Sequence, residues 1–414
     1  MIKIDFFLIK SKIRIKILKL ATKNNFFLYF INMVYKKNFS MKKIFWLDDA
    51  IKKRVIEYIK ISDDSKCLVC STVINDKISI AISDIPPVYI LKLSNVVINS
   101  KSTSFYFQGE NEVFIERMVN ITDVRGNYAN VFLFYHDSKK ALINNKELVN
   151  INDKVILLIG NGSYNYYHYL IEIIPKLYYI SLFYEQFVDY KIVVPSNIYN
   201  FESIKSILSF FLKDNDFIIK SIDDDKNYNI SDAVMVTAIN NTLFNSNDKT
   251  SLLRDTWFRD ESIFWLETLV KNNIKKSELV SCNRFFLARK GNVRNINNQS
   301  EIIDFLINIG VEVIYIEDYS FEEQVNIFRN ADVIIGGSGA AWSNIVFCEK
   351  KPICITWLHQ DYSEFSVFST LAKIKGFSLF SISVVNSSSC NPHANYSIDM
   401  KVFKKEIVKI LRCY

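Results

Sequence analysis

Glycine, proline and histidine are scarce in this 414-residue sequence, with ten, six and four residues respectively. Long apolar runs are also missing, since the best of them, Phe26 to Tyr35, reaches only about half the length of a bilayer-spanning helix and contains Asn32. We therefore expect no transmembrane helix. Apolar residues nevertheless make up 49% of the chain, which excludes a disordered or fibrous protein and is enough for two or three domain cores.

The seven cysteines are an odd number, and most of them lie in apolar surroundings. This is not the composition of a disulfide framework, and it favours a reducing compartment. Cys67 and Cys70 form a CxxC pair, but a zinc site needs a second pair or histidines close by. We interpret this pair as structural thiols, with a metal or redox site as the alternative.

Positive charge is concentrated at the N-terminus. Residues 1–43 carry eleven Lys and Arg residues against Asp5 alone, a net charge of +10, so the remainder of the chain carries −3 of the total of +7. A nearly neutral body lacks the broad basic surface of a nucleic-acid-binding protein, and we expect no nucleic-acid partner. Translation from Met41 instead of Met1 would remove most of this basic segment.

The basic segment also has an apolar periodicity. Ile9, Ile13, Ile17 and Leu20 recur at helical spacing with lysines between them. This pattern predicts an amphipathic helix in peripheral contact with an anionic membrane face. A solvated basic tail is the alternative interpretation.

The remaining chain shows two kinds of pattern. Residues 44–150 contain short apolar runs separated by turn signals, which predicts a strand-rich region. Residues 151–272 and 279–414 each alternate short buried strands with helices, the pattern of parallel α/β sheets, and a polar stretch separates them. Two such units in series place a crevice between them, lined by the carboxyl ends of the strands.

The sharpest motif is a glycine-rich turn within Val333 to Phe347. An apolar strand ends in Gly336-Gly337-Ser338-Gly339, and Ala340 and Ala341 then begin a helix to Phe347. Such a turn lets backbone N–H groups approach an anion, and a helix N-terminus adds partial positive charge, so a diphosphate is a natural ligand. The alternative is a turn rich in glycine for packing alone. It is not a P-loop, because no Lys-Ser/Thr pair follows the last glycine.

A second motif places basic residues at the same edge of the sheet. The strand that begins at Arg284 delivers Arg289 and Lys290 to its carboxyl end, and a polar loop with Arg294 and Asn297 follows. An arginine fork suits a diphosphate or sugar hydroxyls. A solvated loop is the alternative.

The third motif is a helix predicted from about Asn165 to Glu185. His168 and Glu172 are four residues apart and therefore share a helix face, while Pro175 is expected to kink the helix. A histidine accepts protons near neutral pH, and the glutamate is placed to orient it. A buried interface histidine is the alternative.

These three motifs, in this order, resemble glycosyltransferase family 61 over roughly residues 155–360. The sequence differs from the family pattern at Ser338, where many members carry histidine, and in the run Asn295–Ser300. The residues at the positions of the family pattern, including those two departures, are His168, Glu172, Pro175, Arg289, Asn298, Glu301, Gln324, Ala331, Gly336, Ser338, Gly339, Ala340 and Asn344.

The resemblance implies an α/β protein of two Rossmann-like domains that face a central cleft, the B-type glycosyltransferase fold, with a strand-rich N-terminal region. It implies an acceptor-side domain at 44–272 and a nucleotide-sugar-binding domain at 279–414. The expected reaction is inverting transfer from a nucleoside-diphosphate sugar to a glycan or lipid-linked glycan. Bacterial relatives of this kind mostly serve capsular or surface polysaccharide biosynthesis, so we expect a cytoplasmic protein, peripheral on the inner membrane face.

The resemblance also assigns candidate roles. His168 is the expected base, supported by Glu172. Arg289, with the helix N-terminus at Gly339, would meet the charge of the leaving diphosphate, so neither a metal nor another cofactor is expected. The other predicted substrate-binding residues are Lys290, Arg294, Glu301, Ser338, Ala340 and Asn344.

Two alternatives stay open. One is a pyruvyl- or phospho-transferase of the same pathway, which would use a different donor. The other is a catalytically inactive glycan-binding or scaffold subunit, which the serine at position 338 keeps open.

Overall fold

The computed structural model describes residues 16–75, 77–116, 132–137, 139–212, 218–242, 253, 256–276, 283–291, 294–358, 364–386 and 394–413. In these residues the protein is a mixed α/β structure with several sheets, two of which carry the candidate site residues. None of the helices in this part of the chain has both the length and the hydropathy needed to span a bilayer.

The N-terminal region is rich in strands, as predicted for residues 44–150. A four-stranded sheet has the order β7-β1-β9-β8, and residues 16–21 form a helical stretch before it. The predicted boundary at residue 43 falls inside β1, because Asn38–Lys43 pair with β9. The elements are α1 (Asn25–Tyr35), β1 (Asn38–Trp46), α2 (Leu47–Lys52), β2 (Glu57–Ser62), β3 (Ser65–Cys70), β4 (Ile80–Ile85), β5 (Val88–Ile98), β6 (Tyr106–Phe107), β7 (Glu112–Ile115), β8 (Leu133–His136), β9 (Lys140–Asn145) and β10 (Leu148–Leu157).

The central part of the chain completes a seven-stranded sheet in the order β12-β11-β10-β13-β5-β2, with β6 paired to β5. Strands β10 to β13 are mutually parallel, β5 from the N-terminal region pairs antiparallel with β13, and β2 pairs antiparallel with β5. The elements are a π-helix (His168–Ile173), α3 (Lys176–Ser181), α4 (Tyr184–Phe187), β11 (Lys191–Pro195), a 3₁₀ helix (Ser196–Asn200), α5 (Glu202–Leu212), β12 (Ile219–Ile222), β13 (Asn227–Val236), β14 (Asn241–Thr242), β15 (Thr256–Trp257) and α6 (Asp260–Asn273).

The last part of the chain forms a five-stranded, fully parallel sheet in the order β17-β16-β18-β19-β20. A capping box of Ser320 and Glu323 begins α8. The elements are β16 (Arg284–Leu287), α7 (Gln299–Asn308), β17 (Glu312–Ile314), a 3₁₀ helix (Ile316–Asp318), α8 (Phe321–Arg329), β18 (Val333–Gly337), a 3₁₀ helix (Ala340–Phe347), β19 (Ile353–Trp357), α9 (Val367–Ile374), β20 (Leu379–Ser381), β21 (Val385–Asn386), β22 (Ser397–Ile398) and α10 (Met400–Cys413).

Both parallel sheets reverse their strand order at one point. In the first sheet, β11 and β12 lie on one side of β10 and β13 lies on the other side. The connections that follow β10 and β13 therefore leave the sheet in opposite directions. In the second, the same reversal lies between β16 and β18. Such switch points leave a crevice at the carboxyl ends of the strands, where ligands of doubly wound sheets bind.

Helices from both sheets pack against each other in one continuous apolar core. Phe321, at the start of α8, is fully buried, and its ring lies 5.3 Å from that of Phe210 and 5.9 Å from that of Phe211 on α5. On its other side it meets Phe347 at 5.6 Å. The two α/β units are thus joined by a packed aromatic interface.

The β3–β4 hairpin also reaches across to the second unit. The Cys70 backbone N–H donates to Thr370 Oγ1 at 3.2 Å, and the Ser369 hydroxyl donates to the Cys70 carbonyl at 2.6 Å. Burial raises the pKa of both Cys67 and Cys70, which disfavours the thiolate that metal binding needs. Among the described residues no cluster of His, Cys, Asp or Glu is arranged to hold a metal ion. In this contact Cys70 packs as a buried thiol.

We predict that Phe321→Ala lowers the free energy of unfolding by about 3–5 kcal/mol, because it leaves a cavity in the aromatic interface. Urea unfolding measures this loss. Ile307→Ala, which truncates a side chain that is 56% exposed, is the control and should change stability by less than about 0.5 kcal/mol. Equal stability of the two variants would contradict the packed interface.

Candidate active site

The first group of candidate residues follows β10. His168 is 4% exposed, and its Nδ1 lies 2.6 Å from Glu172 Oε2. When Nδ1–H donates to the carboxylate, the neutral ring keeps its lone pair on Nε2. The structure therefore forms the pair expected from the i, i+4 spacing.

The helix that carries this pair differs from the prediction. A continuous helix from Asn165 to Glu185 is wrong, because residues His168–Ile173 form a π-helix and α3 starts only at Lys176. The Ile174 N–H donates to the Tyr169 carbonyl, five residues back, at 2.9 Å. Pro175 has no N–H to continue the ladder, and where a kink was predicted the structure has a break between the π-helix and α3. π-Turns inside helices are frequent at functional sites.

Gly162 covers the His168 ring. Its φ of +72° is a conformation that side chains rarely adopt, and a Cβ on it would lie 2.5 Å from His168 Cδ2. The backbone of the loop therefore packs directly on the imidazole. Only glycine permits this approach.

A buried lysine lies beside the pair and was not predicted. Lys176, one helical turn after Glu172, is 4% exposed. Burial lowers its pKa, whereas the carboxylates of Glu116 and Glu172 act in the opposite direction. Glu116 also accepts a hydrogen bond from the Ala238 backbone N–H, just after β13. The only sequence signal for Lys176 is its position directly after Pro175.

The loop after β13 also holds the π-helix. Asn240 Nδ2 donates to the Ile171 carbonyl at 2.7 Å and to Ser262 Oγ at 2.9 Å. The His168–Glu172 pair therefore lies where the connections after β10 and β13 meet, at the switch point of the first sheet.

The second group surrounds the glycine-rich turn after β18. Arg289 Nη2 donates to the Ser338 carbonyl at 2.6 Å and to the Gly337 carbonyl at 3.3 Å. Arg294 Nη1 lies 3.5 Å from the same Ser338 oxygen. A Cβ on Gly339 would lie 2.7 Å from Arg289 Nη2, so the glycine makes room for the guanidinium. The predicted proximity of the arginine and the turn is present, at the switch point between β16 and β18.

Gln299 fixes the backbone of Arg289 and was not predicted. Its Oε1 accepts from the Arg289 N–H at 2.9 Å, and its Nε2 donates to the Arg289 carbonyl at 3.0 Å. A side-chain amide that makes both bonds holds the loop as a neighbouring strand would. Only the polar character of the loop hinted at such a residue.

A cavity of about 250 Å³ opens beside the arginine. Two alanines at the start of the 3₁₀ helix line it, so the first N–H groups of that helix, which have no acceptor within the helix, are at its wall. The lining residues are Leu287, Ala288, Arg289, Lys290, Gly291, Ile316, Glu317, Gly337, Gly339, Ala340 and Ala341.

A family model described as Glycosyltransferase 61 matches residues 166–355. Over these residues the chain matches glycosyltransferase family 61. It is a glycosyltransferase, and every predicted site residue lies within the matched range. No curated protein matches the chain.

Asn344 and Gln324, both at matched family positions, take part in a chain of hydrogen bonds that links two parts of the structure. Asn344 is fully buried, its Oδ1 accepts from the Tyr166 hydroxyl at 2.6 Å, and its Nδ2 donates to Gln324 Oε1 at 3.0 Å. This chain of hydrogen bonds joins the segment before His168 to the helix that follows the glycine-rich turn. With its amide engaged in this way, Asn344 is better placed to position the two groups than to contact a nucleotide.

The structure does not bring every predicted residue of this glycosyltransferase to the cavity. Glu301 is exposed on the first turn of α7, outside the lining residues, because its helix points it to solvent. Lys290 lines the cavity, but its ammonium group pairs with Asp318 and its backbone N–H donates to Glu317 at 3.2 Å. Ser338 contributes its carbonyl, as the acceptor of Arg289.

We predict that Gly162→Ala displaces the His168 ring and severely reduces glycosyl transfer, because the new Cβ occupies the position of the imidazole. Gly310→Ala is the matched control: Gly310 has a φ of +74° but nothing within 4 Å of its Cβ position. Both variants carry the same backbone strain, about 1–2 kcal/mol, in thermal unfolding. Equal activity of the two would contradict the proposed importance of the imidazole position.

Proposed function

We propose that this glycosyltransferase moves a sugar from a nucleoside-diphosphate donor to a surface or capsular glycan, with inversion at the anomeric carbon. The observation that carries the proposal is the juxtaposition of the two groups. A histidine–glutamate pair lies at one switch point, an arginine-braced glycine turn lies at the other, and the Tyr166–Asn344 hydrogen bond joins the two. This arrangement supports two Rossmann-like units of the B type.

In the proposed reaction, His168 Nε2 takes the proton of an acceptor hydroxyl. The acceptor oxygen forms a bond to the anomeric carbon, and the bond from that carbon to the diphosphate oxygen breaks, with the electron pair leaving on the diphosphate. Glu172 holds the ring through Nδ1 and stabilises the imidazolium that forms. Since His168 is only 4% exposed and its Nε2 is buried, the proposed proton transfer requires the acceptor to displace part of the loop that covers the ring.

The charge of the leaving diphosphate is met, in this proposal, by Arg289 and by the N–H groups at the start of the 3₁₀ helix. The guanidinium has five N–H donors, and its two contacts with the turn use Nη2 alone. A cavity of about 250 Å³ suits the diphosphate and part of a sugar rather than a whole nucleotide sugar. Arg294, behind Ser338, adds positive charge.

We assign the acceptor to residues 44–272 and the donor to residues 279–414. A lipid-linked glycan acceptor would place the protein in the cytoplasm, peripheral on the inner face of the membrane, with residues 1–43 in contact with lipid. The basic charge of that segment supports the assignment.

We predict that one nucleoside diphosphate from a panel of UDP, GDP, CDP and dTDP raises the unfolding temperature, and that EDTA does not change the shift. A ligand at one hundred times its dissociation constant stabilises by about 2.7 kcal/mol. The measurement is a thermal-shift assay on the full chain. A shift abolished by EDTA would contradict the role given to the arginine. A flat panel would favour the non-nucleotide transferase or the inactive glycan-binding subunit.

We further predict that Arg289→Ala weakens binding of the stabilising nucleoside diphosphate roughly 10–100-fold, because hydrogen bonds to charged groups contribute about 1.5–3 kcal/mol. The affinity for the corresponding monophosphate should fall by a smaller factor. Isothermal titration calorimetry measures both affinities. Arg284→Ala, an exposed arginine at the opposite end of the same strand, should bind like the wild type. An equal loss for both nucleotides would mean that Arg289 acts only by bracing the turn.

A further inference from the structure

The N-terminal helix α1 presents a large apolar face to solvent. Its opposite face is attached to the protein, since Ile31 is 1% exposed within an apolar cluster and the Asn32 side chain exchanges two hydrogen bonds with the backbone of Phe39, at 2.7 and 3.1 Å. The outward-facing residues, which we call the aromatic face, are Phe26 (71% exposed), Tyr29 (71%), Phe30 (42%), Met33 (59%) and Val34 (56%).

The aromatic face is one continuous stripe. Its members are spaced by three or four residues, so successive side chains lie next to each other on the helix surface. Single exposed apolar residues are ordinary on protein surfaces, but a contiguous patch marks a site of interaction with another surface. The docked side of α1 holds the stripe in place without covering it.

The charged residues beside α1 in the sequence are all positive, although the Asp137 carboxylate accepts a hydrogen bond from the Thr22 hydroxyl just before the helix. Residues 16–47 contain no Asp or Glu, and α1 itself carries no charged residue. Exposed lysines flank the helix on both sides. Lys16, Lys19 and Lys23 precede it, and Lys36 and Lys37 follow it. Apolar aromatic rings bounded by lysines match the boundary between acyl chains and anionic headgroups, where tyrosine is also favoured.

We propose that α1 lies in the plane of an anionic membrane, with the aromatic face in the headgroup–acyl boundary and the flanking lysines at lipid phosphates. This deepens the proposed membrane contact and does not rest on the proposed reaction. An anionic bilayer satisfies both features at once, because it offers apolar depth and negative charge without requiring a particular register of partner side chains.

The test is flotation of the full-length chain with vesicles of phosphatidylcholine and phosphatidylglycerol, compared with vesicles of phosphatidylcholine alone. We expect binding to the anionic vesicles, weakened by salt. Phe26→Ser with Phe30→Ser should weaken it on the order of tenfold per ring, and Lys19→Gln with Lys23→Gln roughly fivefold per lysine. Phe264→Ser, which removes a ring that is 47% exposed on α6, is the matched control and should bind like the wild type.

Near-UV circular dichroism confirms that each variant is folded before flotation. Absence of wild-type binding to anionic vesicles, or binding that the double phenylalanine variant retains, would overturn the proposal. A dimer in light scattering that the same double variant dissolves would assign the aromatic face to a second copy of the chain instead. Since flotation needs no substrate, none of these outcomes depends on the transferase reaction.

Discussion

The buried amide of Asn344 is the contact on which the arrangement of the site depends. Its oxygen accepts from the Tyr166 hydroxyl of one unit, and its nitrogen donates to Gln324 of the other. Loss of either hydrogen bond would leave a buried polar group without a partner, at a cost of about 1–3 kcal/mol. The two units therefore have one favoured alignment. The apolar contacts around Phe321 supply attachment, but they are less directional than this hydrogen bond.

Arg289, like Asn344, is held by hydrogen bonds on two sides. The backbone of its loop is held by Gln299, and its guanidinium is held by carbonyl groups of the glycine-rich turn. These contacts fix the position of a positive charge before any ligand arrives, so in the proposed reaction no reorganisation is needed as charge develops on the leaving group. The fixed His168–Glu172 pair has the same property.

The sequence predicts those parts of the site that local rules determine. Four-residue spacing on a helix brought His168 to Glu172, and the shared edge of neighbouring parallel strands brought Arg289 to the glycine turn. Glu301 was placed at the donor by family likeness, yet its helix presents it to solvent. An apolar periodicity of 3.6 residues cannot distinguish a π-turn from an α-helical turn. The π-helix therefore could not be predicted from the spacing of the apolar residues before Pro175.

Tertiary contacts decide the remaining differences. Lys176 is buried near the carboxylates of Glu172 and Glu116, and no spacing rule relates it to Glu116, which lies sixty residues earlier in the chain. The strands β10 and β13 begin in polar sequence, at Leu148 and Asn227, and polar residues in their first halves pair across the sheet, as Asn229 does with Asn150. A search for runs of apolar residues detects only the second half of each strand.

The docking of the β3–β4 hairpin constrains the order of folding. The hydrogen bond between Cys70 and Thr370 joins residues 300 positions apart. Ribosomal synthesis delivers the N-terminal region first, so the hairpin must wait, with its docking face uncovered, until α9 has emerged. The two units therefore do not mature as independent, successive domains. Their final assembly is a late, long-range closure of the kind that slows folding and exposes apolar surface meanwhile.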